Sequence, residues 1–291
     1  MLIFQNKYFI KNLNVVFQII KKLRFTIIGS KGFIGSNLVT YLKSKGHECF
    51  TPEIRTDDLT GKNLGNVIFA IGVSNFIERP FDTIDAHVCS LTKILKTTEF
   101  DSFLYFSSGR MYYNTNTTKE DQSLSVNSTN LNDLYNISKA MGESICLSSK
   151  KNNVRIVRPS NVTGSDFLSN LFIPSILRDA VDKGKISIRS TLDSEKDYVY
   201  IDDVVKIATE ISIHGKDSIY NIAYGRNTRS DEIINEILKY TDSKLEIEPN
   251  ATKFSSPTIS IDKIRDEFGF EPTPIIPKIA KMIEGYKKTK N

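Results

Sequence analysis

The fold is decided by the stretch FTIIGSKGFIG, which occupies residues 25–35. Its first four residues, 25–28, are apolar or β-branched without interruption and predict a buried strand. Its last residues begin a segment, 33–45, in which apolar side chains recur every four positions, so a helix is expected there. A strand, a glycine-rich turn and a helix in direct succession form the first part of a βαβ unit, which predicts a parallel sheet.

The turn between strand and helix has the spacing GxxGxxG. Gly29 permits the sharp exit from the strand, Gly32 leaves room for a pyrophosphate against the backbone, and Gly35 allows close packing of helix on strand. Phe33 and Ile34 begin the helix, whose free N–H groups and positive dipole end attract an anion. The alternative is a chance spacing of loop glycines. The flanking strand and helix favour a dinucleotide-binding turn.

An acidic residue after the second strand is expected to bind the adenosine ribose of the dinucleotide. Glu53 follows the predicted second strand, which contains Cys49 and Phe50, and favours NAD. Arg55 could instead neutralise the additional phosphate of NADP, and both residues could simply be solvated loop charges. The expected cofactor is therefore NAD, with NADP as the alternative.

The rest of the sequence continues the alternation of short apolar runs and helical stretches. Further strands are predicted at 67–71, 103–106 and 154–157, and a long helix at 132–149. We therefore expect an α/β fold, a Rossmann-type doubly wound parallel sheet with a smaller C-terminal α/β substrate cap.

The alternation breaks after the fifth predicted strand, and this sets the expected domain boundaries. Residues 24–164 are expected to form the dinucleotide-binding domain, with its core completed by about 197–225. Residues 165–196 and 226–291 are expected to form the substrate-binding cap. Residues 1–23 are an N-terminal extension.

Composition excludes several classes of partner. Five of the 39 basic residues lie among the first 24 residues, which contain no acid, and the other 34 balance the 34 acidic residues. No basic face for nucleic acid is therefore expected, and no apolar run approaches the roughly 20 residues of a membrane span. Three cysteines without a CxxC pair indicate free thiols in a reducing compartment, the cytoplasm, and no metal site.

The basic N-terminal segment has two interpretations. It is either a basic amphipathic segment that touches a membrane surface or a partner, or an additional helix or an upstream start codon without a catalytic role.

A tyrosine and a lysine four residues apart predict the catalytic pair. Tyr135 and Lys139 in YNISK lie on one face of the predicted helix. A nearby ammonium lowers the pKa of a phenol, which can then exchange a proton with a substrate hydroxyl or carbonyl. Ser108 ends the buried strand FLYFSSG, at the edge of the sheet where ligands bind, and is expected to hydrogen-bond the substrate oxygen beside its neighbour Ser107. The alternatives are an accidental YxxxK on an exposed helix and an ordinary turn serine.

Taken together, these motifs resemble the NAD-dependent epimerase/dehydratase family of extended short-chain dehydrogenases. The resemblance runs from about Arg24 to the C-terminus. The motifs that carry it are GSKGFIG, YFSSGRMY, YNISK, RPSNVTG and DYVYIDDVV, which begin at residues 29, 105, 135, 158 and 197.

The resemblance implies a role for each matching residue. Ser108, Tyr135 and Lys139 match the catalytic residues of the family, which act on a sugar nucleotide. Asn161 matches an asparagine near the sugar and its phosphates. Asp58 and Leu59 match an acid and an apolar residue that contact adenine.

This chain departs from the family pattern at several positions near the cofactor. Only four residues separate Glu53 from Asp58, so the sheet is expected to be one strand short and the adenine pocket open. His87 replaces a common asparagine, and Ala70, which ends a strand beside the cofactor, begins the tripeptide Ala-Ile-Gly in place of a segment that contains histidine.

The arginine that grips the nucleotide diphosphate has no confident match. Arg189 and Lys253 are candidates, and solvated charges are the alternative for both.

The reaction is narrowed but not fixed by the sequence. Gly109 and Arg110 replace the Asp-Glu pair that the family's dehydratases carry after the catalytic Ser or Thr, which argues against dehydration. The expected activity is sugar-nucleotide epimerisation through transient oxidation, at C4 in the first place. The first alternative is reduction of a 4-keto sugar nucleotide. The second alternative is that the protein binds a dinucleotide as a regulator and has no turnover. Self-pairing of the helices at 84–98 and 132–149 would give a homodimer.

Overall fold

The computed structural model of the chain describes residues 22–290. Most of the basic N-terminal segment lies outside the described residues, so both interpretations of it stay predictions. Within 22–290, no helix combines the length and apolar character needed to cross a bilayer.

The described residues form eleven strands in three sheets. In chain order they are β1 Arg24–Ile28, β2 Glu48–Phe50, β3 Asn66–Phe69, β4 Ser102–Phe106, β5 Val154–Pro159, β6 Asn161–Thr163, β7 Lys185–Ser190, β8 Glu195–Tyr200, β9 Ile219–Ile222, β10 Asn227–Arg229 and β11 Lys244–Thr252. The main sheet has the order β2-β1-β3-β4-β5-β9, and all its strands are parallel. The carboxyl ends of these strands therefore meet along one edge.

Residues 22–290 form nine α-helices, of which seven lie between strands and two follow the last strand. They are α1 Phe33–Ser44, α2 Pro80–Ile84, α3 Ser90–Thr97, α4 Leu134–Ser148, α5 Phe172–Lys183, α6 Ile201–His214, α7 Ser230–Leu238, α8 Asp262–Phe268 and α9 Ile279–Lys288, counted over residues 22–290. The helix predicted at 84–98 begins earlier, at Pro80, and contains a π-helical turn, Asp85–Cys89, between α2 and α3.

Alternate side chains of the sheet pack on opposite layers of helices. Ile27 of β1 packs in one layer with Leu38 and Leu42 of α1, whereas its neighbour Ile28 packs in the other with Leu91 of α3. Because successive strand residues point to opposite faces, an uninterrupted apolar strand needs cover on both sides. The predicted Rossmann-type doubly wound parallel sheet is confirmed.

The sheet ends at β2 on the side of the cofactor turn. In the described chain, residues 51–65 form turns and one isolated bridge rather than a further strand. The prediction of a sheet one strand short is confirmed. This segment is too short for a helix and a strand, so β2 is the edge.

Two small sheets lie beyond β5. The strands β6, β8 and β10 form one, with β6 parallel and β10 antiparallel to β8, and the parallel pair β7–β11 forms the other. The first sheet brings Asn161 opposite Tyr198 and so joins two motifs that are distant in sequence.

Candidate active site

The glycine turn is as tight as its spacing predicts. Gly29 has a φ of +89°, in the left-handed region, and its carbonyl accepts a hydrogen bond from the Gly32 amide at 3.0 Å. A Cβ on Gly35 would lie 2.1 Å from the Gly29 oxygen, so no larger residue fits there. The α1 helix begins directly after Gly32 and has no side-chain cap, which leaves its first N–H groups free for an anion.

A cleft of about 580 Å³ opens beside this turn. Its lining comes from the glycine turn, the chain after β2 and the α2–α3 helix pair, and includes Gly29, Ser30, Lys31, Thr51, Pro52, Glu53, Ile54, Arg55, Ile71, Asp82, Asp85, Ala86, Cys89, Ser90 and Lys93. Glu53, the residue that the sequence predicts to bind the ribose, is one of these lining residues. Its carboxylate accepts an ion-paired hydrogen bond from Lys31 at 2.8 Å, and this partner lowers the pKa of Glu53.

The predicted adenine contacts are not part of this lining. Asp58 is exposed and accepts a hydrogen bond from the Thr60 amide, while Leu59 is buried in the core with Leu64 and Leu91. The structure therefore does not bring these two residues to the glycine turn. The segment after β2 that holds Thr51 and Arg55 lines this side of the cleft instead.

Ala70, in contrast, lies against the turn. It follows β3 directly, its amide donates to the Ile28 carbonyl at 2.9 Å, and its carbonyl would be 3.0 Å from a Cβ on Gly29. The predicted position of Ala70 beside the cofactor turn thus agrees with the geometry. Phe33 and Ile34 form the first turn of α1 and are half-buried.

Lys139 is buried at the edge of the sheet where the strands end. Its ammonium donates to the Ile71 carbonyl at 2.9 Å and to the Phe106 carbonyl at 2.8 Å, so it bridges the ends of β3 and β4. Burial lowers the pKa of Lys139 to about 7, and the nearby Glu143 opposes this shift.

Tyr135 lies one helical turn before Lys139 on α4, with the Lys139 nitrogen 6.0 Å from its ring centre. Burial raises the pKa of Tyr135, and a hydrogen bond with Ser108 and the positive charge of Arg110 oppose that shift. Lys139, which the sequence predicts to lower this pKa, directs its ammonium at two carbonyl groups. Arg110 supplies the favourable charge instead.

Aromatic side chains fix the orientation of Tyr135. Phe76 packs against it with ring centres 5.4 Å apart, and His87 of the π-helical turn meets it edge-on at the same distance. His87 is fully buried, its Nδ1 lies 2.9 Å from the Ser138 hydroxyl, and burial lowers its pKa to about 2. The imidazole is therefore neutral and acts as a packing partner of Tyr135, in the place where the family commonly has asparagine.

A second cavity, of about 50 Å³, adjoins Ser108. Asn161 also lines it, and its amide donates to the Asp197 carbonyl at 2.8 Å. Such a volume holds a few water molecules but no sugar ring. Ser256, Pro257 and Ile259, from the C-terminal part of the chain, also line this cavity.

The Ser108 side chain and the Tyr135 and Lys139 side chains of α4 thus come together from two places in the sequence. The two candidates for binding the diphosphate do not join them. Arg189 pairs with Glu248 at 3.1 Å and Lys253 pairs with Asp193 at 2.8 Å, both among exposed side chains.

Arg110 is the residue whose position the sequence did not predict. Its guanidinium carbon lies 5.9 Å from the Tyr135 ring centre and 5.2 Å from that of Phe76. The sequence signal was present, since a basic residue follows the strand-terminal Ser108 by two positions. In the sequence, this basic residue served only to argue against dehydration. Its contact with Tyr135 depends on the fold and could not be predicted from its position in the chain.

Comparison with known proteins agrees with this geometry. Residues 25–223 match the sequence profile of the NAD dependent epimerase/dehydratase family. A dTDP-4-dehydro-6-deoxyglucose reductase from Escherichia coli is 25% identical over 210 residues, which are 67% of this chain and 64% of that protein. The match thus spans somewhat less than two thirds of the curated relative.

Solved structures show the same fold at low identity. MoeE5 in complex with UDP-glucose and NAD superposes with a TM-score of 0.76 at 16% identity, covering 92% of this chain and 100% of that one. UDP-glucose 4-epimerase from Thermotoga maritima gives 0.75 at 17%, with the same coverage. RMD from Pseudomonas aeruginosa, complexed with NADPH, gives 0.74 at 18%, again covering 92% and 100%.

The family match confirms three predictions from the sequence: the family resemblance, the class of enzyme and the nicotinamide dinucleotide as cofactor. The chain therefore belongs to the NAD dependent epimerase/dehydratase family.

Proposed function

We propose that this protein catalyses hydride transfer at a ring carbon, C4 in the first place, of a nucleoside diphosphate sugar, with Tyr135 as the acid/base. One observation carries the proposal. Ser108, Tyr135 and Lys139 converge at the carboxyl edge of the sheet, with Lys139 bound to the Ile71 carbonyl, and Ile71 also lines the cleft at the glycine turn.

Each residue has a separate task in this proposal. When bound, NAD(P) supplies or accepts a hydride at its nicotinamide ring. Tyr135 gives a proton to, or takes one from, the sugar oxygen, and Ser108 holds that oxygen by a hydrogen bond. Lys139 fixes the ends of β3 and β4, and Arg110 places a positive charge near the reacting phenol. The free N–H groups of α1 would hold the pyrophosphate.

Two reactions fit this machinery. Epimerisation, the first choice from the sequence, returns the hydride to the same sugar and needs a cofactor that stays bound. Ketoreduction leaves the hydride in the product and needs an exchanging cofactor.

Two observations support ketoreduction as the second candidate. One is the similarity to the Escherichia coli reductase. The other is the open adenosine side of the cleft, where β2 is the edge strand and Asp58 is exposed, which favours cofactor exchange. Dehydration has little support, because Gly109 and Arg110 follow Ser108 and offer no carboxylate.

The test compares wild type with Tyr135→Phe on 4-hydroxy and 4-keto sugar nucleotides linked to UDP and dTDP. Stoichiometric loss of NAD(P)H absorbance on a 4-keto substrate identifies a reductase. Conversion of a sugar to its C4 epimer without net redox change identifies an epimerase. The variant is expected to lose about 100-fold or more in kcat, in line with the removal of a general acid/base. A variant as active as wild type, or a wild type inert on the whole panel while binding NAD(P), would overturn the proposal and favour a regulator.

We propose NAD as the physiological cofactor, with NADP as the alternative. Glu53 in the cleft supports NAD. Lys31, which pairs with Glu53, and the nearby Arg55 carry positive charges that would favour the additional phosphate of NADP. Titration of wild type and Glu53→Gln with NADH and NADPH tests this, since the variant should lose affinity for NADH selectively.

A homodimer formed by the α2–α3 and α4 helices is proposed as the assembly. The helix α2 exposes 84% of Phe81 and α4 exposes 50% of Met141, and burying such side chains in a helical interface is favourable. The cytoplasm is the proposed location, because Cys49, Cys89 and Cys146 are free thiols.

A further inference from the structure

Tyr113 is a large side chain in the cavity beside the proposed reacting groups. It lines the cavity of about 50 Å³ together with Ser108 and Asn161. Ser108 is also hydrogen-bonded to the Tyr135 phenol, so this cavity adjoins the atoms that we propose to react. Tyr113 follows the short 3₁₀ turn Gly109–Tyr112 after β4, and 37% of its surface is exposed. It therefore forms part of the wall of the space beside Ser108.

The Tyr113 ring extends toward the opposite wall of this cavity. It meets the Phe254 ring edge-on, with ring centres 5.5 Å apart and planes at 67°. Phe254 lies shortly before Ser256 and Pro257 in the chain, and both of these residues line the same cavity. The ring thus connects the segment after β4 with the C-terminal segment.

Phe254 is itself held in place, so it offers Tyr113 a fixed support. The Lys196 ammonium lies 4.7 Å from the centre of the Phe254 ring. The Phe254 amide donates to the Ser194 hydroxyl at 3.0 Å, and its carbonyl accepts from the Glu195 amide at 2.9 Å. These contacts attach Phe254 to the start of β8.

The backbone of Tyr113 is anchored by the preceding tyrosine. Tyr112 is fully buried, and its hydroxyl donates to the Asn221 side-chain oxygen at 2.9 Å and accepts from Arg158 at 2.7 Å. The two consecutive tyrosines therefore point to different places, one into the core and one to the cavity. Because both the backbone and the ring of Tyr113 are held, a bulky ligand group cannot displace this ring without breaking contacts.

We propose that Tyr113 is a specificity-determining residue, whose ring limits the size of the substituent on the sugar carbon next to the reacting one. The inference rests on the proposed function, because it places the reacting carbon at Ser108 and Tyr135. In a pyranose that reacts at C4, the adjacent carbon that carries the exocyclic group of a hexose is C5. A small group at C5 fits beside the ring, whereas a larger one overlaps it.

The experiment measures binding by calorimetry in the presence of saturating NADH, which cannot oxidise the ligands. UDP-xylose, UDP-glucose and UDP-6-O-acetylglucose carry a hydrogen, a hydroxymethyl group and an acetoxymethyl group at C5. We expect the affinity of wild type to fall about tenfold or more at one step of this series, as for a group that a shaped pocket rejects. Tyr113→Ala should reduce this step to less than about threefold, and Tyr113→Phe, which keeps the ring, should retain it.

Two controls show whether the effect belongs to this position. UDP-N-acetylglucosamine is enlarged at C2, which is not adjacent to C4, so its affinity relative to UDP-glucose should be the same in wild type and Tyr113→Ala. Tyr240→Ala removes a tyrosine that is 47% exposed and lies outside the cavity lining, and it should leave the C5 series unchanged.

A second variant keeps the test decisive if Tyr113→Ala does not fold. Phe254→Leu removes the ring that supports Tyr113 and should reduce the step in the C5 series in part. Thermal unfolding and NADH binding establish that each variant is folded.

The outcomes separate this inference from the proposed function. Equal weakening of all UDP-sugars and of UDP alone by Tyr113→Ala would assign the ring to the nucleotide and overturn the inference, while sugar-nucleotide binding stands. A C5 series to which wild type and Tyr113→Ala respond alike would also overturn it, as would an equal change at C2. If wild type binds none of the sugar nucleotides, the proposed function fails and the inference with it.

Discussion

Substituting Gly35 by alanine tests whether the cofactor turn depends on a direct contact between helix and strand exit. The added Cβ would lie 2.1 Å from the Gly29 oxygen, 2.7 Å from the Gly29 carbonyl carbon and 2.9 Å from the Ser30 Cα. Ordinary contacts between such atoms exceed about 3 Å. All three neighbours are backbone atoms, so no side-chain rotation relieves the clash, and the turn must move by about 1 Å.

The expected cost follows from two opposing terms. Alanine in an open helical position is more favourable than glycine by about 1 kcal/mol, whereas overpacking a tight site costs typically about 1–3 kcal/mol and more when only backbone can yield. We expect the free energy of unfolding of Gly35→Ala to fall by about 2 kcal/mol, which lowers Tm by roughly 4–8 °C. A shift of about 1 Å in the turn should also weaken NADH binding at least about tenfold.

Denaturant unfolding and fluorescence titration with NADH measure the two effects. Gly72→Ala is the matched control, because its Cβ would meet nothing within 4 Å and its backbone is not in the left-handed region. Gly32→Ala adds an intermediate case, with 3.4 Å to the same Gly29 oxygen. A Gly35→Ala protein with the stability and NADH affinity of wild type would refute the reasoning.

Three further predictions concern other parts of the molecule. Glu143→Gln leaves the buried Arg158 without the carboxylate that it now contacts at 2.6 Å, so the free energy of unfolding should fall by about 3–5 kcal/mol. The control Glu248→Gln breaks an exposed pair and should change the free energy of unfolding by less than about 1 kcal/mol. Equal effects of the two substitutions would contradict this account. Burial lowers the pKa of Lys139 from 10.5 to about 7, so the folded state binds fewer protons than the unfolded state between these two pH values. Wild type should therefore gain stability with rising pH relative to Lys139→Met. If denaturant curves give a constant difference in the free energy of unfolding between the two proteins from pH 6 to 9.5, the lowered pKa is excluded. Phe81→Asp should convert the proposed dimer to a monomer in light scattering, and an unchanged mass would remove α2 from the interface.

The sequence alone determined the parts of this protein that depend on local pattern. The apolar run 25–28, the glycine spacing and the repeat in α1 predicted the strand, the turn and the helix, because each requires particular residues at neighbouring positions. The short gap between Glu53 and Asp58 predicted the missing strand, since chain length limits what can form there. The pair Tyr135 and Lys139 was visible because helical periodicity places them on one face.

Tertiary structure decided which charges meet at the site. Lys139 was expected to act on the Tyr135 phenol, but its ammonium binds carbonyl groups at the ends of two strands that are neighbours only in the folded sheet. Arg110 acts on that phenol instead, from the segment that follows β4. Electrostatic interactions and desolvation depend on distance in space and on burial, and neither quantity is encoded in local sequence spacing.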